Sequence, residues 1–597
     1  MCGFAGVLER GQRAAAGHRL EEALECLTNR GPDGSGTEIV TSRDWTASLG
    51  HRRLKIIDLD DRSAQPFTRG VLTALYNGEI YNYLELRDEL RILGHTFRTE
   101  SDTEVLLAAY EQWGLGALGR LDGMFALALI DRGRGTMLLA RDAFGEKPLF
   151  VSVTAQRVAF ASTSDAVLRL LGDRKPAISA EFIEAFLTLG FAPAPLTVWS
   201  GVEKLAAGEY RELDLSSGGW TGGHVASVDL LNEASQSRAF DAHEFESLLL
   251  SALERRLRAD VPIALLLSGG IDSAYIAALL RRRLDRNLLA VTIKDRIDSS
   301  EEVDRAARVC AVLGVEHRVV AMPARPLQAL ISEALPAMDE PIGDPAFPML
   351  CELFAHVPPE LRVVLTGDGA DELFLSYSSL RRLLAPHNGM LATVASALTP
   401  LIARVGAARG NVLWRRVAER TVMAASLAPG DRFRVLAELA GWTSGTIGDW
   451  STAMRPSGSD ARALYRHSLM HELPEYLLVK ADRASMLHSF ESRTPYLNRD
   501  LLRYVLQCDP ASVGLGYKHH IMSRLDALLG ADMHFTKRGF FASGQDQLSR
   551  VPQAWHPALL DDRFRTWRRD ALDARRMDGL SYYRLHVLNT WLMTQCA

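Results

Sequence analysis

The segment Pro262-Ile263-Ala264-Leu265-Leu266-Leu267-Ser268-Gly269-Gly270-Ile271-Asp272-Ser273 decides the fold of the chain's second half. Its apolar run has the length of a buried strand, the Ser-Gly-Gly turn ends that strand, and residues 274–280 have the composition of a buried helix. A glycine turn at a helix N-terminus gathers backbone N–H groups and partial positive charge, which favours a bound phosphate. The segment therefore predicts a phosphate-binding loop, and the alternative is a glycine turn that merely closes an α/β unit.

Asp272 indicates which kind of phosphate loop this is. A carboxylate beside phosphates is expected where a divalent cation stands between them. The segment lacks the glycine spacing and the lysine of a Walker P-loop. It resembles instead the pyrophosphate loop of enzymes that split ATP between its α and β phosphates. This resemblance makes ATP and Mg²⁺ the expected cofactors.

The composition predicts a globular protein of several domains. A chain of 597 residues is too long for one hydrophobic core, and its 47% hydrophobic and 24% charged residues are ordinary globular values. The net charge of −5 argues against a nucleic acid partner. No signal pattern begins the chain, and its longest charge-free apolar stretch, Met390 to Ala403, is too short for a membrane span. The six scattered cysteines indicate neither a zinc site nor disulfides, so we expect a cytoplasmic location.

The chain begins with a cysteine at its second position. Removal of Met1 would leave Cys2 with a free α-amine, and one residue would then carry both a nucleophile and a base. The amine titrates near pH 8 and the thiol near pH 8.5, so both are within reach of neutral pH. Taken alone, a cysteine at this position can also be incidental.

Several motifs downstream of Cys2 resemble, in order and spacing, the glutaminase domain of the N-terminal-cysteine amidotransferases. Within that class they are most similar to the asparagine synthetases. The resemblance implies an α/β/β/α sandwich of the N-terminal-nucleophile (Ntn) hydrolase type. The motifs are Arg30-Gly31-Pro32-Asp33, residues 51–58, Tyr76-Asn77-Gly78-Glu79-Ile80-Tyr81-Asn82, Ser101-Asp102-Thr103-Glu104, and Ala140-Arg141-Asp142 with Gly145, Lys147 and Pro148.

The resemblance assigns a role in glutamine hydrolysis to six residues. A thiolate that attacks an amide needs donors where the oxyanion develops, and free glutamine has a carboxylate and an ammonium to hold. Two of the residues also have simpler interpretations, since Asn-Gly is a frequent hairpin turn and a lone arginine can be a surface charge. The implied roles are Cys2 as nucleophile, Asn77 and Gly78 at the oxyanion, Arg53 on the α-carboxylate, and Asp102 with Glu79 on the α-amine.

Strands alternate with helices from about residue 240, which predicts a mostly parallel sheet. The pattern predicts strands over Leu288–Ile293 and Arg362–Thr366 and a helix over Glu301–Leu313. The last of these strands runs into the acidic loop Gly367-Asp368-Gly369-Ala370-Asp371-Glu372. Because ligands bind beyond the carboxyl ends of parallel strands, we expect this loop to face the loop at 268–273. The alternative is a solvated acidic turn.

Later motifs extend the resemblance to the synthetase half of the glutamine-hydrolysing asparagine synthetases. They are Asp339-Glu340-Pro341, the acidic loop, Lys480-Ala481-Asp482-Arg483-Ala484-Ser485-Met486, residues 491–497 and Thr536-Lys537-Arg538-Gly539-Phe540. Carried over one residue at a time, the resemblance implies an ATP site at Leu267, Ser268, Gly270, Ile271, Asp272, Ser273, Ile293 and Gly369. It further implies Mg²⁺ on Asp272 and Asp371, Asp368 near an acyl-adenylate, and Lys537 as a catalytic lysine.

Two positions depart from the family pattern. The acidic loop continues with Phe374-Leu375-Ser376-Tyr377 where the family usually has Gly-Gly-Tyr, and Asn498 stands where it commonly has aspartate. We interpret both departures as bordering the acceptor side of the site. The departures therefore bear on the acceptor and not on ATP activation: aspartate is the favoured acceptor, and another carboxylic acid, in the biosynthesis of a specialised metabolite, is the alternative.

These observations predict a two-site enzyme that moves nitrogen from glutamine to an ATP-activated carboxylate. The expected domains are a glutamine amidotransferase at 2–210, a linker at 211–239 and an ATP-dependent synthetase at 240–597 with a helical C-terminal part. A homodimer is a further expectation. Alternatives from other classes are a tRNA-modifying ATP pyrophosphatase and a non-catalytic regulatory relative.

Overall fold

The first half of the protein is built on two antiparallel sheets of six strands each. The computed structural model describes residues 2–11, 17–172, 175–225, 238–294, 300–321, 325–377, 461–530, 533, 535, 555–561, 564 and 579–595. The strands are β1 (Gly3–Arg10), β2 (Gly34–Ser42), β3 (Trp45–Arg53), β4 (Phe67–Arg69), β5 (Leu72–Ile80), β6 (Gly123–Asp131), β7 (Thr136–Arg141), β8 (Phe150–Val153), β9 (Arg157–Ala161), β10 (Glu203–Lys204), β11 (Glu209–Asp214) and β12 (Trp220–His224). One sheet has the order β10-β8-β9-β1-β3-β2 and the other β12-β11-β7-β6-β5-β4.

The two sheets pack face to face, and helices cover their outer faces. Buried side chains from both sheets, such as Phe4, Leu49, Leu75 and Leu139, form one core between them. The helices of this half are α1 (Gly17–Cys26), α2 (Tyr83–Ile92), α3 (Asp102–Trp113), α4 (Ser164–Leu171) and α5 (Ala180–Leu189). Helices α1 and α4 share a core with the first sheet, and α2 and α3 share one with the second. The predicted α/β/β/α sandwich is therefore confirmed.

The hairpin of β11 and β12 connects this sandwich to the rest of the chain. Strand β11 pairs with β7, and β12 pairs with β11, so both belong to the second sheet. This sheet continues beyond residue 210 to His224, inside the segment that the sequence predicts as a linker.

A parallel sheet of five strands organises the second half. Its order is β15-β14-β13-β16-β17, and each neighbouring pair runs parallel. The strands are β13 (Ile263–Leu266), β14 (Leu289–Lys294), β15 (His317–Ala321), β16 (Val363–Leu365) and β17 (Glu491–Arg493). The strands predicted at 262–267, 288–293 and 362–366 are confirmed, and the carboxyl ends of β13 and β16 lie side by side.

Helices precede the sheet, join its strands and form the later part of the chain. They are α6 (Ala242–Arg256), α7 (Ile271–Arg282), α8 (Ser300–Leu313), α9 (Leu327–Ala334), α10 (Ala346–His356), α11 (Ala370–Leu373), α12 (Ala461–His467), α13 (Leu478–Leu487), α14 (Arg499–Gln507), α15 (Pro510–Val513), α16 (His519–Leu529) and α17 (Gly579–Gln595). A π-helix, Ser468–Leu477, leads into α13. None of the described helices is both long and apolar enough to cross a membrane.

Buried ion pairs join the two halves. Arg30 of the sandwich pairs with Asp482 of α13 at 2.8 Å, and Arg141 pairs with Glu475 of the π-helix at 3.1 Å. Lys204 also reaches Glu475, at 2.9 Å. Since buried charges need partners, these pairs fix the sandwich against the π-helix and α13 in one arrangement.

Candidate active sites

Cys2 lies at the start of β1, a central strand of the first sheet. Its backbone N–H donates to Asn77 Oδ1 at 3.0 Å, and its carbonyl oxygen accepts from Arg30 Nε at 3.2 Å. The thiol sulfur lies 3.8 Å from the Leu54 carbonyl oxygen. Burial raises the pKa of the Cys2 thiol, and the nearby charge of Arg53 partly offsets this effect.

Asn77 and Gly78 lie inside β5 rather than in a turn, so the hairpin interpretation of this dipeptide is wrong. They pair with Ala126 and Phe125 of β6. The side-chain nitrogen of Asn77 is buried and has no hydrogen-bond partner among the described residues. A Cβ at Gly78 would lie 2.0 Å from the Met124 carbonyl oxygen, so only glycine allows this pairing. A buried amide donor without a partner suits a transient oxyanion.

Arg53 ends β3 and is buried, so the surface-charge interpretation is wrong. Its guanidinium donates to the Asp60 carbonyl oxygen at 2.7 Å and to the carbonyl oxygens of Ile57 and Asp58. These bonds fix the 57–60 loop next to the cysteine. The structure thus brings Arg53 into the same site as Cys2 and Asn77.

Asp102 and Glu79 are two buried carboxylates, Asp102 at the start of α3 and Glu79 in β5. Asp102 begins α3, and its Oδ2 accepts from the Tyr76 hydroxyl at 2.9 Å and from the Ile80 N–H at 3.0 Å. Burial raises the pKa of both carboxyls, and Glu491 raises each of them further. A ligand ammonium would supply the positive charge that such an acidic site favours.

The predicted phosphate loop joins β13 to α7. Gly269 has a φ of +73°, and a Cβ there would lie 2.2 Å from the Glu302 carbonyl oxygen. Ser268 Oγ accepts from the Gly270 N–H at 3.3 Å and lies 3.1 Å from Ser273 Oγ. No side chain caps the N-terminus of α7, so its first N–H groups face the loop.

The acidic loop faces the phosphate loop, as the sequence predicts. Lys518 joins them, because its Nζ lies 2.6 Å from Asp272 Oδ2 and 2.6 Å from Asp371 Oδ1. Burial alone would lower the pKa of Lys518, but the two carboxylates outweigh burial and raise it. The solvated-turn interpretation of the acidic loop is therefore wrong.

The sequence interpretation missed Lys518. It is the residue before α16, and a lysine next to a helix is common on protein surfaces, so the sequence carried no distinctive signal for it. Only the tertiary structure shows that this lysine is buried between two carboxylates 99 positions apart in the chain.

The two carboxylates fit a divalent cation. A lysine ammonium already lies between Asp272 and Asp371, so a positive charge is favourable at this point. Among the described residues, no group of three or more His, Cys, Asp and Glu could hold a metal ion by itself. Mg²⁺ uses one or two carboxylates and completes its coordination with phosphates and water, and Asp272 and Asp371 are two such carboxylates.

The other predicted residues of this half that the structure describes lie near the carboxyl ends of the strands. The Leu267 carbonyl oxygen accepts from Thr292 Oγ1 at 2.6 Å, and Ile293 lies in β14 next to Thr292. Gly369 begins α11 with a φ of +91°. Asp368 Oδ2 accepts from Thr366 Oγ1 at 2.8 Å. Lys537 lies outside the described residues.

The structure shows what the two departures from the family pattern contact. Ser376 Oγ donates to Asp371, so it contacts the predicted metal carboxylate. Leu375 before it adopts a φ of +46°, a conformation that glycine adopts without strain. Asn498 caps α14 and contacts Asp122 of the sandwich, so it lies at the domain interface.

Both halves of the chain match known families. Residues 1–221 match the glutamine amidotransferase domain, and residues 244–520 match asparagine synthase. Together with the Cys2 site and the Asp272 site, these matches define a glutamine-hydrolysing carbon–nitrogen ligase. The chain belongs to the family of glutamine-hydrolysing asparagine synthetases.

Individual relatives carry two kinds of name. The putative asparagine synthetase [glutamine-hydrolyzing] of Mycobacterium tuberculosis (strain H37Rv) is 33% identical over an alignment of length 524, which covers 82% of this chain and 78% of the relative. Asparagine synthetase [glutamine-hydrolyzing] 1 of Bacillus subtilis is 30% identical over 64% of this chain and 60% of its own length. Amidase chry2 of Gibberella zeae is 27% identical over 82% of this chain and 78% of its own length.

Proposed function

We propose that this protein converts the side-chain carboxylate of aspartate to the amide of asparagine, with glutamine as nitrogen donor and ATP as the activating substrate. One observation carries the proposal. The same chain holds a partly buried cysteine beside an amide donor that has no partner among the described residues and, in its other half, a phosphate loop facing a pair of carboxylates. The first arrangement suits release of ammonia, and the second suits activation of an acid.

In the sandwich, the Cys2 thiolate attacks the side-chain amide of glutamine. The Asn77 side-chain nitrogen and the Gly78 N–H stabilise the oxyanion, and ammonia leaves as a thioester forms. Water then releases glutamate. The α-amine of Cys2, freed when Met1 is removed, acts as the base. We assign Arg53 to the α-carboxylate of glutamine, and Asp102 with Glu79 to its α-amine.

In the parallel-sheet half, the acceptor carboxylate attacks the α-phosphate of ATP and gives an acyl-adenylate and pyrophosphate. Ammonia then attacks the acyl carbon, which yields the amide and AMP. Magnesium, when bound by Asp272 and Asp371, supplies charge neutralisation at the pyrophosphate. The other assignments are pyrophosphate to Ser268, Gly270 and Ser273, adenosine to Leu267, Ile271, Ile293 and Gly369, and the acyl-adenylate to Asp368 and Lys537.

The second candidate acceptor is another small carboxylic acid. The relative named an amidase, rather than an asparagine synthetase, supports this candidate. The family departures give it little support, because Asn498 lies at the domain interface and Ser376 contacts the predicted metal carboxylate. Aspartate therefore stays the first choice. A cytoplasmic location and a homodimer belong to the same proposal.

The test measures AMP formation with glutamine and aspartate, and with a panel of other carboxylic acids. We expect AMP with aspartate and asparagine as product. AMP with another acid alone would replace the acceptor and leave the reaction class intact. The variant Cys2→Ala should lose the glutamine-supported product and keep the ammonia-supported product. Loss of both products in a folded Cys2→Ala protein would contradict the two-site division.

A further inference from the structure

Arg30 links Cys2 to the second half of the chain. Arg30 donates from Nε to the Cys2 carbonyl oxygen at 3.2 Å. Its other two nitrogens donate to Asp482, Nη1 to Oδ2 at 2.8 Å and Nη2 to Oδ1 at 3.1 Å. Both side chains are almost fully buried, so water cannot replace either partner.

We infer that Asp482, a residue of the synthetase half, is a positioning residue for glutamine hydrolysis in the other half. It fixes the Arg30 guanidinium, and that guanidinium fixes the backbone of Cys2. The inference rests on the proposed role of Cys2 as nucleophile. It assigns to the synthetase half a part in a reaction whose reacting groups all lie in the sandwich.

Outside the β1 pairing, two backbone hydrogen bonds from the described residues hold Cys2. The residue lies at the chain start, and β1 pairing begins only at Gly3. Its N–H is held by Asn77 Oδ1 and its carbonyl oxygen by Arg30 Nε. A terminal residue needs such bonds because chain ends are otherwise poorly ordered. Arg30 thus supplies one of the two backbone hydrogen bonds that the described residues make to Cys2, beside the contact of its thiol with Leu54.

Arg30 has a fixed backbone, so Asp482 decides where its guanidinium points. Its N–H donates to the Leu27 carbonyl oxygen at 3.0 Å, within the turn after α1. The next residue, Gly31, lies so close to β3 that a Cβ would be 2.2 Å from the Arg52 carbonyl carbon. The two hydrogen bonds from Arg30 to the Asp482 carboxylate then select one orientation of the Arg30 side chain.

Asp482 is itself rigidly placed and permanently charged. It lies in α13, and its Oδ2 also accepts from Arg483 Nη1 at 2.8 Å. Burial alone would raise the pKa of Asp482, but Arg30 and Arg483 outweigh it and hold this pKa well below its usual range. Arg483 in turn donates to both oxygens of Asp339, at 2.7 and 2.9 Å. The chain of contacts thus extends from Cys2 to the 339–344 loop of the synthetase half.

The experiment measures glutamine hydrolysis and ammonia-supported AMP formation in the full-length variant Asp482→Asn. Asparagine keeps one acceptor oxygen but loses the paired contact to Arg30. We expect kcat for glutamine hydrolysis to fall about 10- to 100-fold, because small displacements of a nucleophile have effects of this size. The KM for glutamine should change less than about threefold, since no glutamine-binding group is altered. Ammonia-supported AMP formation should persist.

The matched control is Asp122→Asn, which removes another charged contact between the two halves, to Arg255 and Asn498. It should leave kcat for hydrolysis near the wild-type value. The conservative variant Asp482→Glu should recover part of the lost kcat. If Asp482→Asn does not fold, Arg30→Lys replaces it, because lysine cannot hold the Cys2 carbonyl and both Asp482 oxygens together.

Equal kcat values in Asp482→Asn and Asp122→Asn would overturn the inference. A parallel rise in KM, or equal loss of the ammonia-supported reaction, would also overturn it and indicate a merely structural contact. The proposed function fails by a different result, which is full glutamine hydrolysis in Cys2→Ala. The two failures are therefore distinguishable.

Discussion

Asn498 donates its side-chain N–H to the carboxylate of Asp122 across the domain interface, at 3.2 Å from each oxygen. The same side chain accepts from the backbone N–H groups of Asp500 and Leu501 and so caps α14. An aspartate at this position would cap the helix equally well but would face Asp122 with a second negative charge. Asparagine can both cap the helix with its side-chain oxygen and donate to Asp122 with its side-chain nitrogen.

We expect Asn498→Asp to weaken the interface while the helix cap stays intact. Two carboxylates at this distance repel each other, although Arg255 beside Asp122 limits the effect. The unfolding free energy should fall by about 1–2 kcal/mol, as measured by urea denaturation. The double variant Asn498→Asp with Asp122→Asn should recover most of this loss. A double variant as unstable as the single one would show that repulsion is not the cause.

Lys518 should compete with metal for the two carboxylates. In Lys518→Gln the ammonium between Asp272 and Asp371 is lost, and the metal-free protein should be destabilised by on the order of 3 kcal/mol. Millimolar Mg²⁺ should then raise the melting temperature more in the variant than in the wild type, because no lysine has to be displaced. Thermal unfolding with and without Mg²⁺ measures this difference.

Lys204→Gln is the matched control for Lys518→Gln. Lys204 is also a buried lysine between two carboxylates, Glu475 at 2.9 Å and Glu340 at 3.6 Å, but it lies at the domain interface. This variant should lower the melting temperature without changing the response to Mg²⁺. An equal Mg²⁺ response in wild type, Lys518→Gln and Lys204→Gln would rule out a metal site at the two carboxylates.

Gly269→Ala should disrupt nucleotide binding. The φ of +73° is strained for alanine, and the new Cβ would collide with the Glu302 carbonyl oxygen. Because the phosphate loop has to move, we expect the dissociation constant for ATP, measured by calorimetry, to rise at least about tenfold.

Gly530→Ala provides the comparison for Gly269→Ala. Gly530 ends α16 with a similar φ of +66°, yet nothing lies within 4 Å of a Cβ there. Conformational strain alone should lower the unfolding free energy of Gly530→Ala by about 1–2 kcal/mol. The affinity of this variant for ATP should be unchanged. Unaltered ATP affinity in Gly269→Ala would argue against phosphate binding by this loop.

Glu372 should make stability depend on pH. Burial, with the neighbouring charge of Asp371, raises the pKa of Glu372 to about 7, from 4.5 for an unperturbed glutamate. The folded state then holds this proton more tightly than the unfolded state does. The contribution of Glu372 therefore destabilises the protein progressively from pH 4.5 to about 7 and is constant above that.

Glu372→Gln removes this titration and keeps an acceptor for the Tyr377 hydroxyl, which now donates to Glu372 at 2.6 Å. At pH 8 the variant should be more stable than the wild type by about 1–3 kcal/mol, and near pH 4.5 the two should be equal. Urea denaturation across this pH range measures the difference. A difference that does not grow with pH would contradict the raised pKa.

The local patterns of the sequence predicted the elements and their class. Apolar runs of strand length, helical periodicity and the Ser-Gly-Gly turn depend on a few neighbouring residues, so the β13 to α7 unit could be predicted without the fold. The ordered motifs likewise predicted which residues would meet around Cys2 and around Asp272. Their local alternatives were wrong because the hairpin and surface-charge interpretations ignored burial.

Contacts between distant parts of the chain were decided by the tertiary structure alone. Lys518 lies between two carboxylates, Arg30 contacts Asp482, and Asn498 contacts Asp122. The partners in these contacts are 147 to 452 positions apart in the chain. No periodicity or motif spacing encodes such pairs, because they depend on how distant segments pack, within the second half for Lys518 and between the halves for Arg30 and Asn498. The sequence by itself therefore determined the two kinds of chemistry, and the packing of the two halves decided which charged side chains meet between them.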